Sequence, residues 1–101
     1  MKRISNNRVG YHIQVRSPFV THTGSMYGEK IGDNGFVVYS YGPHWPLAFW
    51  NGRFWLLNTE RSSVTTNRHN TIARLACNGW VGCPKIELEA AIKRNEKVIN
   101  T

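Results

Sequence analysis

Two apolar runs, Pro46–Trp50 and Arg53–Leu57, flank the pair Asn51-Gly52, and this stretch constrains the fold more than any other. Asn-Gly suits a two-residue type I′ turn, because both central positions of that turn take positive φ. Such a turn sets the register: Trp50 opposite Arg53, Phe49 opposite Phe54, Ala48 opposite Trp55, Leu47 opposite Leu56. Side chains alternate across a strand, so Leu47, Phe49, Phe54 and Leu56 share one face and Ala48, Trp50, Arg53 and Trp55 the other. The hydrocarbon face is the natural core side. The opposite face then carries two indoles and a guanidinium, and small α+β domains usually cover a sheet on one face only. At least one indole is therefore expected to be part-exposed.

The segments before the hairpin read as β-rich. Residues 9–16, "VGYHIQVR", alternate, with Val9, Tyr11, Ile13 and Val15 on one face and His12, Gln14 and Arg16 on the other, which predicts a half-buried strand ended by Pro18. Residues 21–35 hold four glycines and no clear period, which predicts a long loop with room for one short strand. "FVVYSY", residues 36–41, is β-branched and aromatic and predicts a second strand. Pro43 and Pro46 then exclude regular pairing around a turn.

Beyond the hairpin the period lengthens. A helix is expected over about 66–78, capped by Thr65 or Thr66 and followed by Gly79 as a left-handed closing residue. Its apolar stripe is Ile72, Leu75 and Ala76; Asn67, Asn70, Thr71, Arg74 and Asn78 fall on the opposite face. Pro84 suits a first helical position, and a second amphipathic helix follows over about 84–97. With no repeat or linker, the expectation is one α+β domain over 1–101, β-rich through residue 60. Its antiparallel sheet has three to five strands around the central Asn-Gly hairpin, and two helices follow.

Charge narrows the partner. Thirteen Lys and Arg against six Asp and Glu leave a net charge of +7, and residues 1–83 carry nine basic and three acidic side chains, or +6. Seven of those nine are Arg, whose planar fork matches phosphate and carboxylate. An anionic partner follows, either DNA or RNA or an acidic protein surface. No stretch approaches the ~20 apolar residues of a membrane span, and "MKRISNNRVGYH" lacks the apolar run of a signal peptide, so a cytoplasmic site of action without membrane is expected. Cys77 and Cys83 are then reduced thiols. Five residues separate them, wider than a zinc-ligand pair, and no second pair follows, so neither metal nor cofactor is expected.

Three groups of residues could bind. Trp50 and Trp55 beside Arg53 resemble in type the aromatic-basic surfaces that stack unpaired bases. Arg61, and the helix face of Asn70 and Arg74, carry side chains able to reach phosphates and base edges. Arg68 and His69 lie at the helix start beside free N–H donors, a setting for an anion or for a structural lock. A fourth pattern is catalytic: His12, His22, His44 and His69 with several Arg could serve a phosphodiesterase, although their spacing does not demand it.

The segment from Val37 to Ala76 resembles small uncharacterised bacteriophage proteins that share "YSYG-x-H-x-PLA", a short hairpin and "SVTT-x-RH". The matching positions are Tyr39–Gly42, His44, Pro46–Ala48, Ser63–Thr66, Arg68 and His69. The resemblance covers about 40 of the 101 residues. It implies a phage setting, hence the host cytoplasm, and supplies no mechanism. The expected function is a small basic non-enzymatic nucleic-acid-binding protein. The competing readings are a protein–protein inhibitor of a host defence or nucleic-acid-processing factor and, more weakly, a His-based nuclease.

Overall fold

A run such as Phe36–Tyr39, apolar at every position, belongs where both faces of a sheet are covered. The computed structural model has that arrangement. It describes residues 3–43, 45–60 and 64–99, with the side chains of all of these except 64–67 and 96–99. His44, Arg61, Ser63 and the side chains of Thr65, Thr66 and Asn67 lie outside the described residues.

Seven strands lie side by side in chain order: β1 (Arg3–Ile4), β2 (Phe19–Thr21), β3 (Met26–Ile31), β4 (Gly35–Ser40), β5 (Pro46–Trp50), β6 (Trp55–Asn58) and β7 (Val81–Cys83). The helices are α1 (Val9–Gln14), α2 (Val64–Ala76) and α3 (Lys85–Ile99), with a 3-10 turn at Asn6–Arg8. Neighbours from β2 to β6 pair antiparallel, whereas β1 with β2 and β6 with β7 are parallel. The class is α+β, but the expected antiparallel sheet of three to five strands followed by two helices is overturned by a mixed seven-stranded sheet and three helices.

Parallel neighbours need a crossover, and α1 and α2 supply the two. Four antiparallel steps separate β2 from β6, so these strands run the same way, and right-handed crossovers send both helices to one face. There Val9 and Ile13 of α1, Ala73 and Ala76 of α2 and Cys77 just after it join Phe19, Met26, Phe36, Val38 and Trp55 in one buried cluster. On the other face Leu88 and Ile92 of α3 pack on Ile31, Val37, Tyr39 and Phe49. The expectation that one face stays wet fails because α3 turns back over it. Glu60 holds that turn, its carboxylate accepting from the Lys85 N–H at 2.8 Å, and Leu88 N–H donates to the Pro84 carbonyl at 3.0 Å in the first turn.

The expected strand over 9–16 is a helix. Val9 and Ile13, four apart, satisfy both periods, and both are fully buried, whereas Tyr11 is 66% exposed and Val15 49%. The expected loop over 21–35 contains the six-residue strand β3. Its Gly28 is there for close approach: a Cβ would lie 2.6 Å from the Phe19 ring and 2.8 Å from that of Phe36.

The hairpin turn is wider than Asn-Gly suggests. The Asn51 side-chain oxygen accepts from the N–H groups of Arg53 at 2.9 Å and Phe54 at 3.0 Å, so residues 51–54 form the turn. Trp50 consequently pairs with Trp55, Phe49 with Leu56 and Ala48 with Leu57. The slip is by two residues, so Trp50 and Trp55 still share a face, while Phe54 leaves the core and is 40% exposed. Leu47 changes sides as well: the register shifts between Val38 and Tyr39, and Leu47 packs in the cluster of Ala48 and Trp55.

Helix α2 begins at Val64, so Thr65 and Thr66 lie inside it rather than at its cap. Gly79 follows with φ +63°. The buried stripe is His69, Ala73, Ala76 and Cys77, with Ile72 partly buried and Leu75 76% exposed. The expected stripe was rotated because it weighted the large Leu75 over the small Ala73 and Cys77.

Candidate nucleic-acid interface

Helix α1 closes with paired bonds from Ser17 N–H to the His12 carbonyl at 2.9 Å and from Arg16 N–H to the Ile13 carbonyl at 3.1 Å. This closure puts its penultimate residue in the left-handed region, a position normally given to glycine. Here it is Arg16, with φ +53°. An L-residue pays roughly 1–2 kcal/mol for that conformation. The result is a guanidinium placed over Trp50, its carbon 4.4 Å from the ring centroid.

Trp50 and Arg16 form the ridge between two hollows. The larger, about 550 Å³, is also lined by Gln14, Arg53, Phe54, Trp55 and the end of α2 at Ala76–Gly79. The smaller, about 350 Å³, adds Lys30, Asp33, Asn34 and Gly52. Three cations, Arg16, Lys30 and Arg53, thus line the surface against one acid, Asp33. Helices α1 and α2 both end here, so their negative dipole ends stabilise these cations while opposing a bound anion. Trp50 is part-exposed and its ring is tilted 59° to that of Trp55 at 5.5 Å. Trp55 itself is 3% exposed and sits edge-on to Phe36, so it supports Trp50 from below and is a core residue.

The remaining expected site residues that the structure describes lie elsewhere. Asn70 and Arg74 line a separate cleft beside Trp80 on the far flank of α2. Arg68 is exposed on α2, and Arg61 falls outside the described residues. His69 is 4% exposed, with Nδ1 2.7 Å from the Ser40 hydroxyl and its ring 5.5 Å from that of Tyr41. Burial pushes its pKa below the ordinary imidazole value. A neutral, enclosed imidazole is a lock between α2 and β4 rather than an anion ligand. Ser40, at 1% exposure, is equally closed to substrate.

Arg16, Phe54 and Trp80 carry no mark in the sequence as site residues; a helical reading of 9–14 would have exposed Arg16 as the residue after its end. The thiols are free, Cys77 buried with its pKa pushed up to about 12 by burial and Cys83 half-buried. Among the described residues no three His, Cys, Asp or Glu gather as a metal site, and no helix is long and apolar enough to cross a membrane. Comparison with protein-family models, curated proteins and solved structures returns no match.

Proposed function

We propose that this is a small basic nucleic-acid-binding protein, without enzymatic activity, that grips its ligand at the Arg16–Trp50–Arg53 surface. The carrying observation is Arg16, held in a strained backbone conformation with its guanidinium over a part-exposed indole. Strain of this kind is characteristic of binding and catalytic positions. The exposed ring of Phe54 and the guanidinium of Arg53 on the same surface add a second stacking face and a second phosphate contact. The bacteriophage setting implied by the "YSYG" and "SVTT" motifs belongs to the same proposal.

The test is a titration of tryptophan emission with single-stranded and duplex DNA and with RNA, for the wild type and Arg53→Ala. Quenching that weakens in the variant is expected. The competing reading, an inhibitor docked on a host protein, draws on the edge strand β7, where Val81 is 50% exposed and nearby Ile86 75%. Absence of any nucleic-acid response would favour it.

A further inference from the structure

Helix α2 lies on its His69–Ala73–Ala76–Cys77 stripe, so Asn70 and Arg74, one turn apart, flank the stripe on one side. Between that flank and Trp80 lies a cleft of about 240 Å³. Its floor is polar and fixed. Asn58 is fully buried; its amide donates to the Pro46 carbonyl at 2.9 Å and its side-chain oxygen accepts from Glu60 N–H at 2.8 Å. The Asn58 carbonyl accepts the Asn70 amide at 2.8 Å, which holds Asn70 at the cleft.

The outer wall is the indole of Trp80, 40% exposed. Gly82 positions it. A Cβ at residue 82 would lie 3.3 Å from the Trp80 ring and 2.6 Å from the Thr59 methyl, so only glycine lets both side chains lie against the strand. Trp80, Asn70 and Arg74 thus line a slot smaller than the 300–1,000 Å³ or so of drug-sized pockets. That is room for one planar ring system. Within a duplex both faces of a base are already stacked, so a base entering the slot must be unpaired.

We propose that this cleft takes one unpaired base of a single-stranded nucleic acid, stacked on Trp80, with Asn70 at its edge and Arg74 on the adjoining phosphate. The proposal rests on the nucleic-acid reading above and adds strandedness and a second contact point to it. An amide held by one hydrogen bond can still offer its oxygen to an exocyclic amine, so bases bearing one, such as adenine and cytosine, fit the edge best.

The experiment compares wild type, Trp80→Phe, Trp80→Leu and Arg53→Ala for binding of a short labelled oligocytidine strand and of its duplex, at one salt concentration. Leu keeps apolar bulk over Gly82 and removes the π face; Phe keeps both. The expected result is single-strand binding tighter than duplex binding, lowered roughly 5- to 150-fold by Trp80→Leu and largely kept by Trp80→Phe. Duplex binding should not distinguish the two. Equal single-strand affinity of the Leu and Phe variants, with Arg53→Ala impaired, overturns the cleft and leaves the Arg16–Trp50–Arg53 reading standing. No binding by the wild type to either probe overturns both.

Discussion

The Arg16 guanidinium carbon lies 4.4 Å above the Trp50 ring, and Arg16 reaches it from a backbone position with φ +53°. Those two facts oppose each other energetically. The cation–π contact is worth roughly 0.5–1 kcal/mol at a surface, whereas the left-handed backbone costs about 1–2 kcal/mol. With about 0.3–1 kcal/mol more from a cation at the helix C-terminus, the terms nearly cancel and Arg16 adds little net stability.

Arg16→Gly should accordingly leave the melting temperature unchanged or raise it by a few degrees, while weakening nucleic-acid binding several-fold. Arg16→Ala keeps the strain and loses the contact, so it should lower both. Thermal melts and binding titrations on the two variants check this. A destabilised Arg16→Gly with intact binding would make the residue structural.

The hairpin register makes its own prediction. Phe49 is 1% exposed beneath α3 and Phe54 is 40% exposed in the turn. Phe49→Ala should cost about 3–5 kcal/mol in denaturant unfolding. Phe54→Ala should cost less than about 1 kcal/mol. Equal losses would restore the register in which the two rings face each other.

The α+β class, strand β4, the existence of the hairpin and helices α2 and α3 were legible; the size and mixed pairing of the sheet and helix α1 were not, for local reasons. Strand β4 and the hairpin followed from apolar runs and a turn pair. The α1 region misled because Val9 and Ile13 fit a period of two and a period of four alike; Ser5-Asn6-Asn7, residues that favour helix starts and turns, was the signal for a helix. Gly28 looked like loop chemistry when it serves ring packing. At the hairpin, the Asn51 side chain captured two turn N–H groups that a two-residue turn would have left to the strands. Parallel edge strands as short as β1 and β7 carry almost no pattern, since two or three residues cannot display a period.

The candidate surface was legible only in part. The hairpin brings Trp50 and Arg53 to one surface as expected from the turn, but Trp55 belongs to the core, packed with Ala73, Ala76 and Cys77. Arg16 and Trp80 depend on where α1 and α2 end, which the sequence leaves open to a few residues. The sequence left His69 open between an anion ligand and a structural lock because its place in the buried stripe depends on Ala73 and Cys77, both too small to dominate a hydrophobic pattern.

A pH prediction follows from His69. Its folded pKa is lowered by burial, so between that value and the ordinary 6.5 the unfolded chain binds more protons. The stability of the neutral His69–Ser40 contact is thus complete above 6.5 and lost as the pH falls through the lowered folded value. His69→Asn, which can keep a hydrogen bond to Ser40 without titrating, should melt with a shallower dependence on pH below 6.5. Identical pH profiles for variant and wild type would place the titration elsewhere.

The central claim is tested most directly by the affinity for a mixed-sequence single strand as salt is raised. Phosphate contacts release about 0.7 counterion each on single strands. Arg16, Lys30 and Arg53 together should give a slope of about 2 in log Kd against log salt, or about 2.8 with Arg74 also on a phosphate, falling by about 0.7 in Arg53→Ala. A slope near zero, or no binding at low salt, would contradict a nucleic-acid grip at this surface.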